Sequence, residues 1–279
     1  MTIPPVAYEP VPVAAVTLAA LPQRLPHPSP AMAEWITIEP SPGALHPCPL
    51  RCWWEPAATP PRGGVLVLPE VFGINSWLRS TAARLAQQGY AALAVPLMAR
   101  TAPDLDLGYS AAELAIGRTH KDRVRTDQLL GDLQAAATWL QLRLPGRPGL
   151  GCVGFCFGGH AALLAASLPA VRATAAFYGA GVVSGRPGGG PPSLEVLPNV
   201  AGALTFFCGR LDPLIPPADV EAIAKALAAA DPSGQRLRLE MAEAGHGYMC
   251  EQRADYSSGA AAEGWRRMLE LFAGELEQG

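Results

Sequence analysis

The chain has 279 residues, 49% of them apolar and 16% charged, with a formal net charge of −3 at neutral pH. That length supplies one sizeable core, and the slightly acidic balance leaves no basic face to track phosphates, which argues against nucleic acid as a partner. Six cysteines in so long a chain need no disulfide framework, and no run approaches the roughly 18 consecutive apolar residues of a membrane span.

Residues 1–31 are rich in Pro, Ala and Val, lack a basic start, and have their one apolar run interrupted by Pro12. They read as an irregular extension rather than a secretory signal, with Met32 an alternative natural start and residues 32–279 a single domain. Trp35–Glu39 and Leu50–Glu55 have the look of two edge strands. Gly64–Pro69 is a continuous apolar run bounded by turn formers, the mark of a strand buried on both faces. Ser76–Gln88 has helical spacing, with Leu78, Ala82 and Leu85 on one face, and Gly89 ends it. Ala91–Pro96 is a second buried strand. A polar stretch, residues 97–121, holds one short helix around Ala111–Ile116, and Asp122–Leu142 carries core spacing for a long helix. Strand and helix then alternate: Gly149–Phe155, Phe157–Ser167, Ala173–Tyr178, a Gly/Pro-rich loop through Asn199, Ala203–Cys208, Pro217–Ala229, Arg236–Met241 and Ala260–Glu277. Such alternation implies right-handed crossovers, a mostly parallel sheet of about eight strands, and helices on both faces.

Chemistry concentrates where strands end. Gly154-Phe155-Cys156-Phe157-Gly158-Gly159 joins a buried strand directly to a helix. This is the nucleophile-elbow pattern with cysteine in the serine position, the glycines permitting close backbone approach. Cys156 would sit at a helix N-terminus, where the macrodipole favours negative charge, and the Phe157 amide would point to a developing oxyanion. Asp212 follows the strand ending at Cys208, and His246 follows the strand after that. Nucleophile, acid, histidine is the chain order of the α/β-hydrolase fold. In this reading His246 handles the thiol proton and Asp212 orients the imidazole. Glu70 and Val71 end the first buried strand. The Val71 amide is the second oxyanion donor, and Glu70, charged at the end of an apolar strand, needs a partner. Capping Ser76–Gln88 or pairing with an arginine would each supply one.

Five segments, P-E-V-F-G-I-N at 69–75, Q-G-Y-A-A at 88–92, G-F-C-F-G-G at 154–159, the Asp212 turn and A-G-H-G at 244–247, resemble the dienelactone hydrolase family. The resemblance implies an α/β-hydrolase fold, hydrolysis of a small activated ester or lactone, no cofactor and no metal, and a Glu70 that helps ionise Cys156 when substrate binds. It also implies arginines that hold a substrate carboxylate. Tyr248 and Arg253 after the histidine, and Arg118, Arg123 and Arg125 before the long helix, are the candidates, none in the family's register. A general carboxylesterase or thioesterase for neutral substrates, and a silent ligand-binding member, are the competing readings. The cysteine usage suits a reduced, cytoplasmic setting, and the sequence leaves the oligomeric state open. His160 reads as a packing or hydrogen-bonding residue, and His120 as part of a solvated helix start.

Overall fold

In the computed structural model the described residues are 32–40, 44–57, 60–146 and 149–277. The expected extension over 1–31 lies outside them. Eight strands form one sheet: β1 (Glu34–Ile38), β2 (Leu50–Glu55), β3 (Gly63–Leu68), β4 (Tyr90–Ala94), β5 (Leu150–Phe155), β6 (Val171–Phe177), β7 (Ala203–Gly209) and β8 (Leu237–Ala242). Their spatial order is β1-β2-β4-β3-β5-β6-β7-β8. β1 and β2 run antiparallel to their neighbours, and every other pairing is parallel.

The apolar runs fall where full burial demands them. Every residue of β3, β4, β5 and β7 is buried, whereas edge strand β1 is mostly half-exposed. Six α-helices accompany the sheet among the described residues: α1 (Ser76–Gln87), α2 (Ala111–Lys121), α3 (Thr126–Gln141), α4 (Phe157–Ala165), α5 (Pro217–Ala230) and α6 (Ser258–Leu276). A 3₁₀ helix spans Ser193–Asn199. Two glycines of β5 reveal the layering. A side chain at Gly151 would meet Phe272 and Leu276 of α6, while one at Gly154 would lie 1.9 Å from the carbonyl oxygen of Gly158 in α4. Positions three apart on a strand face opposite ways, so α4 and α6 cover opposite faces. No helix among the described residues is long and apolar enough to cross a membrane.

The chain leaves β3 for β4 on one side and returns to β5 on the other, so the sheet order reverses between β3 and β5. A crevice opens at the carboxyl ends of strands at such a switch point. Glu70 and Val71 follow β3 there, and Cys156 follows β5.

One sequence expectation needs correction. The helix read over Asp122–Leu142 begins four residues late, its first residues forming the turn between α2 and α3. α2 runs on to Lys121, and α3 starts only at Thr126 because Arg125 is extended at φ −119° and ψ 139°. The cause is tertiary: the Thr126 amide and hydroxyl both donate to the carbonyl of Pro187, at 2.9 Å each. His120 consequently lies in the last turn of α2, half-buried, and not at a solvated helix start.

Candidate active site

β5 ends at Phe155 and α4 begins at Phe157, leaving one residue for the turn. That residue, Cys156, takes φ +55° and ψ −116°, a left-handed conformation that costs a non-glycine residue on the order of 1–3 kcal/mol and persists only when its surroundings enforce it. They do so through backbone bonds. The Cys156 amide donates to the carbonyl of Phe177 on β6 at 3.0 Å, and its carbonyl accepts from the His160 amide at 3.1 Å. Gly158 is required because a Cβ there would stand 2.3 Å from the carbonyl oxygen of Leu68. The turn lifts the Cys156 side chain into a cleft, and Phe157, as first residue of α4, has an amide without an intrahelical partner.

His246 and Asp212 are both buried. Nδ1 of His246 bonds Oδ2 of Asp212 at 2.8 Å. Its Nε2 is buried with no conventional partner, and the hydrogen-bonding neighbour left to the ring is the Cys156 sulfur. Burial disfavours the imidazolium, but the bond to Asp212 and the interaction with Cys156 outweigh it and push the His246 pKa up to about 10. Tyr178 packs edge-on against this imidazole, with ring centroids 5.1 Å apart.

Glu70 is 2% exposed. It does not cap α1, whose N-cap is Asn75, with the side chain accepting from the Leu78 amide at 3.1 Å. Oε1 instead accepts from Nη1 of Arg253 at 2.7 Å, while Oε2 is buried without a partner. Burial raises the carboxyl above its ordinary range, and Arg253 and His246 pull it back only in part. The loop bearing Arg253 is itself anchored, because Glu251 accepts from Trp77 Nε1 at 2.7 Å and from Arg84 Nη1 at 3.2 Å, both on α1.

Val71, Phe72, Cys156, Phe157, His246 and Arg253 line one cleft of about 500 Å³, in the usual range for small-molecule sites. Arg118 also lines it. Three other expected contacts do not. Arg123 lines a separate small hollow with Arg100 and Asp132. Arg125 is exposed and paired with Asp127 at 3.3 Å. Tyr248 is 1% exposed and packs on Tyr178 and Phe177, behind the site. Sequence reasoning passed over Arg186, Lys121 and Tyr178. The first two line the cleft. Tyr178, at φ +39°, is the one other non-glycine residue of positive φ among the described residues, and its hydroxyl is buried without a partner. The signal for Arg186, a lone cation in a Gly/Pro loop after a strand, was present but unspecific.

The model of the dienelactone hydrolase family matches residues 53–276. The chain belongs to the dienelactone hydrolase family. A Synechocystis protein provisionally named a carboxymethylenebutenolidase is 38% identical over 224 residues, covering 80% of this chain and 90% of its own. The carboxymethylenebutenolidase of Pseudomonas putida is 28% identical over 222 residues, covering 77% and 87%. A crystal structure of a Klebsiella pneumoniae protein, provisionally called a dienelactone hydrolase, superposes with a TM-score of 0.73 at 27% identity, over 87% of this chain and 98% of that one. The protein is therefore a carboxymethylenebutenolidase-like hydrolase of a family that acts on esters or lactones.

Proposed function

We propose that this family member hydrolyses a small activated ester or lactone through a covalent Cys156 acyl-enzyme, with His246 and Asp212 completing a triad. The observation that carries the reading is the chain of contacts from a strained cysteine, through a buried imidazole whose Nε2 has no other partner, to an aspartate at 2.8 Å. Residues 32–279 make up the catalytic domain.

The Cys156 sulfur, as thiolate, attacks the ester carbonyl, and the oxygen left negative is met by the amides of Val71 and Phe157. The C–O bond breaks as the imidazolium of His246 gives its proton to the leaving oxygen, which in a lactone stays tethered to the acyl group. Water then attacks the thioester, His246 takes its proton, and a carboxylic acid departs with the sulfur restored. Asp212 holds the ring and stabilises its charged form. Glu70 is a fourth catalytic group: a buried carboxylate held by Arg253 on one oxygen and unpartnered on the other, able to take the thiol proton once a substrate carboxylate competes for Arg253. A thiolate forms thioesters readily from good leaving groups, so enol lactones suit the site better than amides.

The test is a substrate panel with Cys156→Ala and Cys156→Ser. Carboxylate-bearing enol lactones should be turned over faster than neutral p-nitrophenyl esters, and both variants should lose at least about 100-fold in kcat/KM, since a hydroxyl is far less acidic than a thiol. Better turnover of neutral esters would favour a general carboxylesterase or thioesterase. Near-normal turnover by Cys156→Ser would end the thiolate mechanism, and a Cys156 without enhanced alkylation in a protein hydrolysing nothing would leave a silent ligand binder.

A further inference from the structure

Arg186 lies in the glycine- and proline-rich loop between β6 and the 3₁₀ helix, half-buried on the wall of the cleft. Its Nε donates to the carbonyl of Pro191 at 2.8 Å and its Nη2 to that of Pro192 at 3.1 Å. Carbonyls fix the guanidinium plane but leave its charge uncompensated. Nη1 makes no hydrogen bond with any described residue, and no described carboxylate pairs with the side chain.

The loop is held to the catalytic elbow. His160, one turn into α4 and 6% exposed, bonds the Ala180 carbonyl through Nδ1 at 3.0 Å and the buried Ser193 hydroxyl through Nε2 at 2.7 Å. The Ser193 amide donates to the Gly185 carbonyl at 3.1 Å, closing the loop next to Arg186. Burial, with the charges of Lys121 and Arg186, brings the His160 pKa down to about 4, so a neutral ring can donate from Nδ1 and accept at Nε2.

A second cationic element stands nearby. α2 packs on the loop after β3 so tightly that a Cβ at Gly117 would lie 2.3 Å from the Val71 carbonyl oxygen, which brings Arg118 and Lys121 to the cleft. Lys121 pairs with Asp122 at 2.5 Å, whereas Arg118 has no carboxylate partner among the described residues. Arg253, by contrast, is already compensated by Glu70. The cleft therefore holds one compensated cation, Arg253, and two, Arg186 and Arg118, without a carboxylate partner among the described residues.

We infer that Arg186, supported by Arg118, binds a second carboxylate of the substrate, apart from the one that meets Arg253, so that the substrate class is a dicarboxylate-bearing ester or lactone. This rests on the ester-hydrolase reading above and narrows it. An uncompensated guanidinium with fixed geometry matches a carboxylate through charge-assisted hydrogen bonds, and neutral acceptors already occupy its other nitrogens.

The experiment compares wild type, Arg186→Gln and Arg186→Lys on an enol lactone with one carboxylate, its analogue with two, and p-nitrophenyl butyrate. Wild type should favour the dicarboxylate by at least about tenfold, the range of one charged hydrogen bond. Arg186→Gln should lose about 10- to 100-fold on that compound alone, mainly in KM, and stay within about threefold on the others. Arg186→Lys should recover part of the loss. Equal losses on all three compounds, or none on any, would overturn the inference. A binding measurement separates this from failure of the catalytic reading: calorimetry of Cys156→Ala with each lactone should show the same preference, abolished by adding Arg186→Gln. If no ester is hydrolysed, the catalytic reading fails, yet a dicarboxylate preference that depends on Arg186 still supports the subsite, and its absence overturns it.

Discussion

Replacing Asp212 by Asn leaves the shape of the site nearly intact and removes one charge. The 2.8 Å contact to His246 Nδ1 joins two buried groups, with side-chain exposures of 5% and 0%. The imidazole pKa stands at about 10 against an ordinary 6.5, despite burial, because of the bond to Asp212 and the interaction with Cys156. At about 1.4 kcal/mol per pH unit, that shift is on the order of 5 kcal/mol in favour of the charged ring. Removing one member of a buried pair costs about 3–5 kcal/mol, so Asp212→Asn should lower kcat/KM by roughly 100- to 1000-fold or more near neutral pH. The alkaline limb of the pH–rate profile should also move toward neutrality, since the imidazolium that protonates the leaving oxygen would be lost at lower pH. Stopped-flow hydrolysis of an enol lactone between pH 6 and 11 measures both effects. An Asp212→Asn enzyme within threefold of wild type, with an unmoved alkaline limb, would refute the reasoning.

The same pair sets a dependence of stability on pH. A histidine whose folded pKa is raised contributes stability that is fully present below the unfolded value and lost as pH rises through the folded one. Here the window runs from 6.5 to about 10, so the stability advantage of wild type over Asp212→Asn, read from urea unfolding, should shrink across it, and an advantage that grew would contradict the pairing. Glu70→Gln should reduce kcat on carboxylate-bearing lactones by at least about tenfold, the scale of general acid–base help being 10²–10⁴, while iodoacetamide labelling of Cys156 without substrate stays unchanged; equal loss in both would place Glu70 in the resting site instead. Gly158→Ala forces a Cβ to 2.3 Å from the Leu68 carbonyl oxygen, and thermal melting should show a loss of several kcal/mol or no soluble protein, an overpacked core costing about 1–3 kcal/mol even without a backbone clash. Tyr178→Phe deletes a buried hydroxyl with no partner, so its melting temperature should hold or rise slightly; a clear fall would mean the hydroxyl is bonded.

The fold was legible because its signals are local. The runs that became β3, β4, β5 and β7 are apolar on both faces and flanked by turn formers, which leaves few alternatives to buried parallel strands. The convergence of Cys156, His246, Asp212 and Glu70 on one candidate site could be read ahead because each ends or follows a strand, and the sheet order brings those ends together. What the sequence concealed depends on contacts across the fold. The start of α3 is displaced to Thr126 by the Pro187 carbonyl, which helical spacing cannot register. Arg253 stands seven positions beyond His246, out of the expected register, and reaches Glu70 because the loop that carries it is tied to Trp77 and Arg84. Tyr248 is next but one after the histidine, yet its ring turns inward onto Tyr178 and Phe177. Among three arginines of similar sequence context, Arg118 lines the cleft while Arg123 and Arg125 do not, because Arg118 is carried on α2 whereas the other two fall in the turn between α2 and α3.

The central claim is that acyl transfer passes through the sulfur of Cys156. Rapid acid quench of the enzyme with an excess of an activated aryl ester, followed by peptide mass spectrometry, reads this directly. An acyl mass increment on the peptide containing Cys156, formed and lost at rates compatible with turnover, is the predicted result. Sustained turnover with no acyl group on that sulfur, or with the group on another residue, would contradict it.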